Sequence, residues 1–170
     1  MRFLITGGLG LIGHNVVMLL EQLGHDVVIV DNRTNYGIIK QDELDYLMEE
    51  RQKKIKSKHI SINSTVNRKV VEMMIDEYSP DVVIHTASFP RQKVVLENPI
   101  LGSEVMSTGL MNLLELTKKY RIPKFVYVSS SMVYGDFNND VTENVQCNPI
   151  GQYAIMKYAG EQLVKDYTRR

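Results

Sequence analysis

A glycine-rich segment near the start of the chain constrains the fold more than any other feature. Residues 6–13, TGGLGLIG, contain four glycines. They follow a short apolar run at 3–5 and open a segment, 11–24, whose apolar residues recur near helical spacing. A strand that passes directly into a helix requires glycines where the backbone turns sharply and where the helix packs closely on the strand. The sequence therefore predicts a buried strand, a tight turn and a helix in direct succession.

An acidic residue after the second predicted strand indicates what this loop binds. The apolar run 27–30 ends at Asp31, 18 residues after Gly13, which is close to the spacing of the carboxylate that accepts hydrogen bonds from an adenosine ribose. The helix N-terminus would present its amides to a pyrophosphate. We therefore predict a dinucleotide site, with a tight structural turn and a surface aspartate as the alternative. The predicted cofactor contacts here are Gly7, Gly10, Leu11, Ile12, Gly13, Asp31 and Asn32.

The same aspartate favours NAD over NADP, since a carboxylate repels a 2′-phosphate. Arg33 lies two positions further on, and its charge would weaken this preference if the side chain faced the site. We prefer the interpretation that Arg33 is a solvated arginine of the loop, so NAD is the predicted cofactor.

Strands and helices alternate in the rest of the sequence. Apolar runs predict further strands at 59–62, 82–84 and 124–128. Helical spacing predicts helices at 41–58, 66–78, within 100–121, and from near Pro149 to about Tyr167. Such alternation indicates parallel strands joined by crossover helices on both faces. The predicted fold is therefore α/β, a Rossmann-type doubly wound parallel sheet, in one domain over residues 1–170.

Charge and composition exclude several classes of partner. Lys plus Arg and Asp plus Glu each number 20, so the balance gives no support for nucleic acid or an anionic membrane as a partner. The sequence has no apolar stretch long enough to cross a bilayer and no room for a signal peptide before the glycine segment. The single cysteine, Cys147, rules out an internal disulfide. We therefore expect a soluble, cytoplasmic protein, and we predict no metal site.

A second motif is the pair Tyr153 and Lys157, which lie four residues apart on one face of the last predicted helix. An ammonium near a phenol favours the phenolate, which can accept a proton from a substrate hydroxyl. The pair gains meaning from its position after the serines 129–131, because ligands of open parallel sheets bind beyond the carboxyl ends of the strands. We predict that Ser130, Tyr153 and Lys157 are catalytic, and that Tyr153 and Lys157 also contact the cofactor. A polar turn is the alternative for the serines.

Together these pieces resemble the extended short-chain dehydrogenase/reductase family, and within it the NAD-dependent nucleotide-sugar epimerases and dehydratases. The resemblance implies that Ala87 contacts the cofactor and that Ser130 stands at the family's catalytic serine or threonine. It also implies a reaction in which NAD oxidises a ring hydroxyl of a nucleotide-diphosphate sugar to a ketone before hydride returns. The matching segments are 6–13, 31–32, 81–87, 97–99, 112–115, 126–131, 133–135 and the pair Tyr153 and Lys157.

Two positions after the predicted catalytic serine bear on the reaction. Related sugar dehydratases carry Asp and Glu there, whereas this chain has Ser131 and Met132. The resemblance therefore favours epimerisation or simple oxidoreduction over 4,6-dehydration. Other departures from the family pattern are Ser64 at an adenine-contacting aspartate, Met106 at an asparagine of the long helix, and Pro90 and Val95 at polar substrate contacts.

Members of this family continue beyond the catalytic helix into a region that holds the sugar nucleotide, while this sequence stops at Arg170. The resemblance therefore implies the catalytic half, or a truncated form, of an epimerase that forms a homodimer through its long and catalytic helices. Two alternatives stay open: a non-catalytic NAD-binding module, and a short-chain reductase of another carbonyl substrate. Turnover of a sugar nucleotide would separate the first interpretation from the other two.

Overall fold

The computed structural model describes residues 1–57, 59–136 and 141–169, and its centre is an all-parallel sheet. The strand order is β3-β2-β1-β4-β5, so the chain starts in the middle of the sheet and winds outwards in both directions. This order confirms the predicted Rossmann-type doubly wound sheet. The strands are β1 (Arg2–Thr6), β2 (Asp26–Asp31), β3 (Ile60–Ile62), β4 (Val82–His85) and β5 (Lys124–Tyr127).

Helices connect the strands and cover both faces of the sheet. Alternate residues of β1 point to opposite sides: Phe3 and Ile5 pack with α1 and α2, whereas Leu4 packs with α3 and α6. Because both faces are covered, β1 and β2 are apolar almost throughout, as is usual in parallel sheets. The α-helices are α1 (Leu11–Gln22), α2 (Gln41–Lys54), α3 (Arg68–Tyr78), α4 (Gln92–Glu97), α5 (Pro99–Ser103), α6 (Gly109–Lys119) and α7 (Gln152–Arg169).

Two predicted helices have different ends in the structure, for local reasons. The helix predicted at 41–58 ends at Lys54, because Ile55 turns to extended backbone and buries its side chain beside α1 and α2; residue 58 lies outside the described part of the chain. The last helix starts at Gln152 rather than near Pro149. Gly151 has φ of 85°, which is incompatible with a right-handed helix.

The long helix predicted within 100–121 is present, but it is interrupted. A π-helical turn, Glu104–Thr108, joins α5 to α6. The sequence also gave no sign of α4, which lies before it and buries Val94 and Val95. In the part of the chain that the structure describes, no helix combines the length and apolarity that a bilayer crossing requires.

Candidate active site

A cavity of about 390 Å³ opens at the carboxyl ends of β1, β2, β4 and β5. This is the edge at which open parallel sheets bind their ligands. All of the predicted cofactor contacts line this one cavity, although they come from four separate parts of the sequence. They are Gly7, Gly10, Leu11, Ile12, Gly13, Asp31, Asn32, Ala87, Tyr153 and Lys157.

The glycine segment forms one wall of the cavity, and its glycines are required sterically. Gly7 has φ of 71°, a left-handed conformation that favours glycine. A Cβ on Gly13 would overlap the carbonyl oxygen of Gly7, so α1 can approach the loop only with glycine there. Gly10 precedes α1 and has no side chain to cap it. The first amides of α1 are therefore available to an anion such as a pyrophosphate.

Asp31 joins this wall to the loop after β2. Its side chain is 9% exposed, and Oδ2 accepts a hydrogen bond from Leu9 N at 2.9 Å. Oδ1 accepts one from Arg33 N at 2.8 Å. Each carboxylate oxygen can accept a further bond, so Asp31 holds the two loops together and can still receive ribose hydroxyls.

Arg33 lies outside the cavity, as the sequence suggested. Its guanidinium hydrogen-bonds Gln52 on α2, and the residue is half-buried. The backbone at Arg33 is left-handed, with φ of 51°. Because Arg33 does not line the cavity, its charge is directed towards α2 rather than towards Asp31.

The pair predicted from the last helix lies at the other end of the cavity. Tyr153 and Lys157 are 9% and 4% exposed, and they stand one turn apart on α7. Lys157 Nζ donates a hydrogen bond to the carbonyl oxygen of Val128 at 2.8 Å. Burial lowers the pKa of Lys157 to about 8, since desolvation penalises the ammonium. The lysine can therefore change its protonation state near neutral pH.

The serines after β5 divide into two roles. Ser129 lines the cavity, and its hydroxyl donates to Glu161 Oε1 on α7 at 2.5 Å. Ser130 Oγ accepts from Met132 N at 3.2 Å and caps the 3₁₀ turn Ser131–Tyr134. The hydroxyl hydrogen of Ser130 is not used in that bond, but Ser130, which the sequence predicted to be catalytic, is not among the residues that line the cavity, whereas its neighbour Ser129 is.

Two further hydroxyls fit a polar ligand. Thr65 Oγ1 and Ser88 Oγ belong to residues that line the cavity, and both are buried without a hydrogen-bond partner among the described residues. Buried hydroxyls are normally satisfied. A cavity lined by free helix amides, a carboxylate and unpaired hydroxyls fits a dinucleotide.

Comparison with known proteins agrees with this geometry. A sequence model of the NAD dependent epimerase/dehydratase family matches residues 3–170. The chain belongs to this family. It is 33% identical over 168 residues to a putative UDP-glucose 4-epimerase of Methanocaldococcus jannaschii, covering 98% of this chain and 50% of that protein. It is 30% identical to a UDP-glucuronate 4-epimerase of Thermodesulfobacterium geofontis, covering 97% and 50%.

Solved structures show the same relationship. The UDP-glucose 4-epimerase of Thermus thermophilus in complex with NAD has a TM-score of 0.83 and 29% identity, over 99% of this chain and 51% of that one. The enzyme of Bifidobacterium longum, in complex with NAD⁺ and UDP, has a TM-score of 0.81 and 26% identity, over 98% and 48%. The chain thus spans about half the length of the relatives it matches, and its family is NAD-dependent.

Within this epimerase/dehydratase family, the departures seen in the sequence fall in two places. Ser64 and Pro90 line the cavity. Met106 and Val95 instead lie in an apolar cluster with Phe89 and Tyr153, where they are 3% and 0% exposed. These two apolar residues therefore pack in the cluster that contains Tyr153 rather than face a ligand in the cavity.

A tyrosine of the loop after β2 belongs to the site, although sequence reasoning did not predict it. Tyr36 lines the cavity near Asp31, and its ring packs against Phe89 with centroids 4.7 Å apart. Burial, with a smaller contribution from the charge of Asp31, raises the pKa of Tyr36 to about 12. The segment 34–40 is polar with one glycine, so the only available signal was a single aromatic residue in an otherwise loop-like stretch.

His85 and Tyr127 are functional candidates that the sequence did not single out. They are cross-strand partners at the ends of β4 and β5, with ring centroids 5.9 Å apart in a stacked arrangement. His85 is 2% exposed, and its Nδ1 hydrogen-bonds Thr6 Oγ1 at 2.6 Å. Burial, then the charge of Lys157, lowers the pKa of His85 to about 3. Strand alternation could have placed both rings on one face, but not beside Lys157.

Proposed function

We propose that this chain is the cofactor-binding and catalytic half of an NAD-dependent epimerase that acts on a nucleotide-diphosphate sugar. One observation carries the proposal: the glycine segment, Asp31 and the pair Tyr153 and Lys157 line a single cavity. Family membership supports NAD as the cofactor, and relatives that are named UDP-sugar 4-epimerases make UDP-sugars the first substrates to test.

The chain's own groups would divide the work as follows. The first amides of α1 would hold the pyrophosphate and Asp31 the adenosine ribose. Bound NAD would supply the chemistry of taking a hydride from a sugar carbon and giving it back. Tyr153 would accept the proton of the hydroxyl on that carbon and later return it, while Ser130 donates a hydrogen bond to the same oxygen. The Lys157 ammonium would favour the Tyr153 phenolate.

Epimerisation is favoured over dehydration by the residues after Ser130. Loss of water requires a group that protonates the departing hydroxyl, and a carboxylic acid is suited to this task. The side chains at the two positions are a hydroxyl and a thioether, Ser131 and Met132. A ketone intermediate formed here would therefore rotate in the site and be reduced on its opposite face, which inverts the configuration of the carbon without removing water.

A non-catalytic NAD-binding module is the second candidate. It is supported by the apolar packing of Met106 and Val95, positions at which the resemblance implied polar groups. A module of this kind would bind NAD through the glycine segment and Asp31 but would not interconvert sugar nucleotides.

The experiment begins with calorimetric titration of the chain with NAD and NADP, followed by NMR detection of UDP-glucose and UDP-galactose interconversion. We expect saturable NAD binding, and turnover that falls by at least about a hundredfold in Tyr153→Phe, because the proton acceptor is lost. Tyr158→Phe is the matched control, since it alters a half-buried tyrosine on the same helix that does not line the cavity.

Three results would decide between the candidates. NAD binding with Tyr153-dependent turnover supports the epimerase. NAD binding without turnover by a folded chain supports the module. Turnover that survives Tyr153→Phe would contradict the assigned proton acceptor, and turnover restricted to other carbonyl compounds would point to a short-chain reductase.

We also propose a homodimer built on the helices near the site. Ile100 and Leu101 of α5 and Ile155 of α7 are apolar and 74%, 46% and 54% exposed. Gln152 Nε2 donates to Pro99 O at 3.2 Å, which joins these two helices into one surface. Sedimentation velocity would test the proposal, and a species of the chain mass at all concentrations would contradict it.

A further inference from the structure

Lys157 is a buried cation with few partners for its charge. An ammonium has three donors, and one of them is used by Val128 O. An aromatic ring also lies close to Nζ, which is 5.2 Å from the centroid of Tyr127. That distance is within the roughly 6 Å over which a ring face attracts a cation. The ring of Tyr127 therefore supplies negative potential where water has been excluded.

The ring is fixed in place by its neighbours. Tyr127 stacks beside His85, which is anchored in turn by Thr6 Oγ1 on β1. The hydroxyl of Tyr127 contacts α7, and it lies so close to Gly160 that a Cβ there would overlap it. Gly160 is one turn after Lys157 on the same helix. Tyr127 therefore touches α7 at one point and faces Lys157 at another, so it sets the distance between the sheet and the catalytic helix.

Two ionisable residues of the sheet, His85 and Tyr127, lie near Lys157, and neither of them carries a negative charge that would offset the ammonium. His85 is neutral at ordinary pH because burial holds its pKa at about 3. Burial, then the charges of Tyr153 and Glu161, raises the pKa of Tyr127, so its phenol stays neutral and its ring stays electron-rich. The ionisable groups that α7 itself contributes are Tyr153 and Glu161, and the Glu161 carboxylate accepts a hydrogen bond from Ser129.

We infer that Tyr127 is a positioning residue for Lys157: its ring, held by His85 and by contact with Gly160, forms a cation–π platform that keeps the buried ammonium charged and in register with Tyr153. This role deepens the proposed function, since a charged Lys157 is what favours the Tyr153 phenolate. It does not require that NAD be bound.

The test measures the pKa of Lys157 in the cofactor-free chain, by NMR titration of its Nζ resonance, assigned with Lys157→Met. In Tyr127→Phe the ring remains, and we expect the pKa to stay near that of the wild type. In Tyr127→Leu the platform is removed, and we expect the pKa to fall by about one unit, because a desolvated cation–π contact and one pKa unit are of similar energy.

A second series separates the ring's charge distribution from its size. Phenylalanine at 127 is replaced with increasingly fluorinated phenylalanines, which keep the shape and weaken the negative face of the ring. The Lys157 pKa should fall stepwise along the series. Phe125→Leu is the matched control, since Phe125 lies on the same strand and its ring centroid is 6.3 Å from that of His85. This variant should leave the Lys157 pKa unchanged.

An unchanged Lys157 pKa across the fluorinated series would overturn the inference, even if Tyr127→Leu fails to fold. An equal fall in Phe125→Leu would overturn it as well, since general packing would then be the cause. Because neither readout needs NAD or a sugar nucleotide, a failure of the proposed function would be seen separately, as absent NAD binding or turnover.

Discussion

The two ends of the cavity are lined by different kinds of chemical group. At the glycine-segment end, ligand-facing groups are backbone amides, and Asp31 is fixed by hydrogen bonds from Leu9 N and Arg33 N. At the α7 end, the cavity is lined by Lys157, whose pKa is about 8, and the buried His85, which does not itself line the cavity, has a pKa of about 3. The first end presents fixed backbone dipoles to the cavity, whereas the charge at the second end depends on which groups hold protons.

This difference teaches how the two halves of the site should respond to change. Backbone amides do not titrate, so the glycine-segment end should tolerate changes of pH but not of backbone space. The α7 end should tolerate small changes of volume but not of charge. Substitutions at the two ends should therefore separate cofactor affinity from pH dependence.

The largest effect is expected from Gly13→Ala. The added Cβ would overlap the Gly7 carbonyl oxygen, which is backbone and cannot move without opening the loop. We expect NAD affinity, measured by calorimetry, to fall by at least about a hundredfold, because the α1 amides no longer reach the pyrophosphate. Gly102→Ala is the control, since there a Cβ meets only the Val95 side chain at 3.2 Å. Equal affinity in the two variants would show that the glycine segment does not carry binding.

An intermediate effect is expected from His85→Gln, at the other end. The folded-state pKa of His85, about 3, lies below the ordinary value of 6.5. Between these values the unfolded chain binds a proton that the folded chain does not, so stability falls as pH drops below 6.5. We expect His85 to account for a loss of about 2 kcal/mol between pH 6.5 and 5.

Urea unfolding at several pH values would give the free energy of unfolding as a function of pH. The contribution of His85 is the difference between the slopes of this plot for the wild type and for His85→Gln. The variant should lose less stability on acidification, and NAD affinity at neutral pH should change little. His59→Gln, at an exposed position, is the control. If His59→Gln flattened the acid side of the profile as much as His85→Gln, the assignment to the buried ring would be wrong.

The smallest effect is expected from Asp31→Asn, which keeps the size and an acceptor oxygen but removes the charge. The preference for NAD over NADP, taken as the ratio of two dissociation constants, should fall about tenfold, since the repulsion of a 2′-phosphate is lost. Asp26→Asn, an exposed aspartate at the opposite end of β2, should leave the ratio unchanged. A ratio that is unchanged in Asp31→Asn would mean that cofactor choice is made elsewhere.

Much of the fold could be predicted from sequence because local pattern and global topology agree. Runs such as 27–30 and 82–84 are apolar throughout, which indicates strands covered on both faces, and the helices between them imply parallel order. The geometry of the glycine-segment end follows from the same logic, since a short motif fixes the turn between β1 and α1, and Asp31 is the last residue of β2.

The α7 end is harder to predict, because it depends on contacts between distant segments. Strand periodicity places Tyr127 and His85 on one face, but it does not say that Lys157 lies above them. Ser129 and Ser130 are neighbours with the same side chain, and only the exact end of β5 decides which lines the cavity. Tyr36 is similar, since its burial depends on Phe89, which belongs to a different loop.

The π-helical turn at Glu104–Thr108 concerns chain length rather than chemistry. Gly109 N bonds Glu104 O, so this turn holds one residue more than an α-helical turn would. Beyond it, Gly109 meets Thr65, and Asn112 Nδ2 donates to Thr65 O and Val66 O at 3.0 Å. The turn is thus the place where the helix has spare length: deleting a single residue there should give a continuous α-helix whose two ends keep their present neighbours, whereas a deletion within α6 would rotate Asn112 away from them.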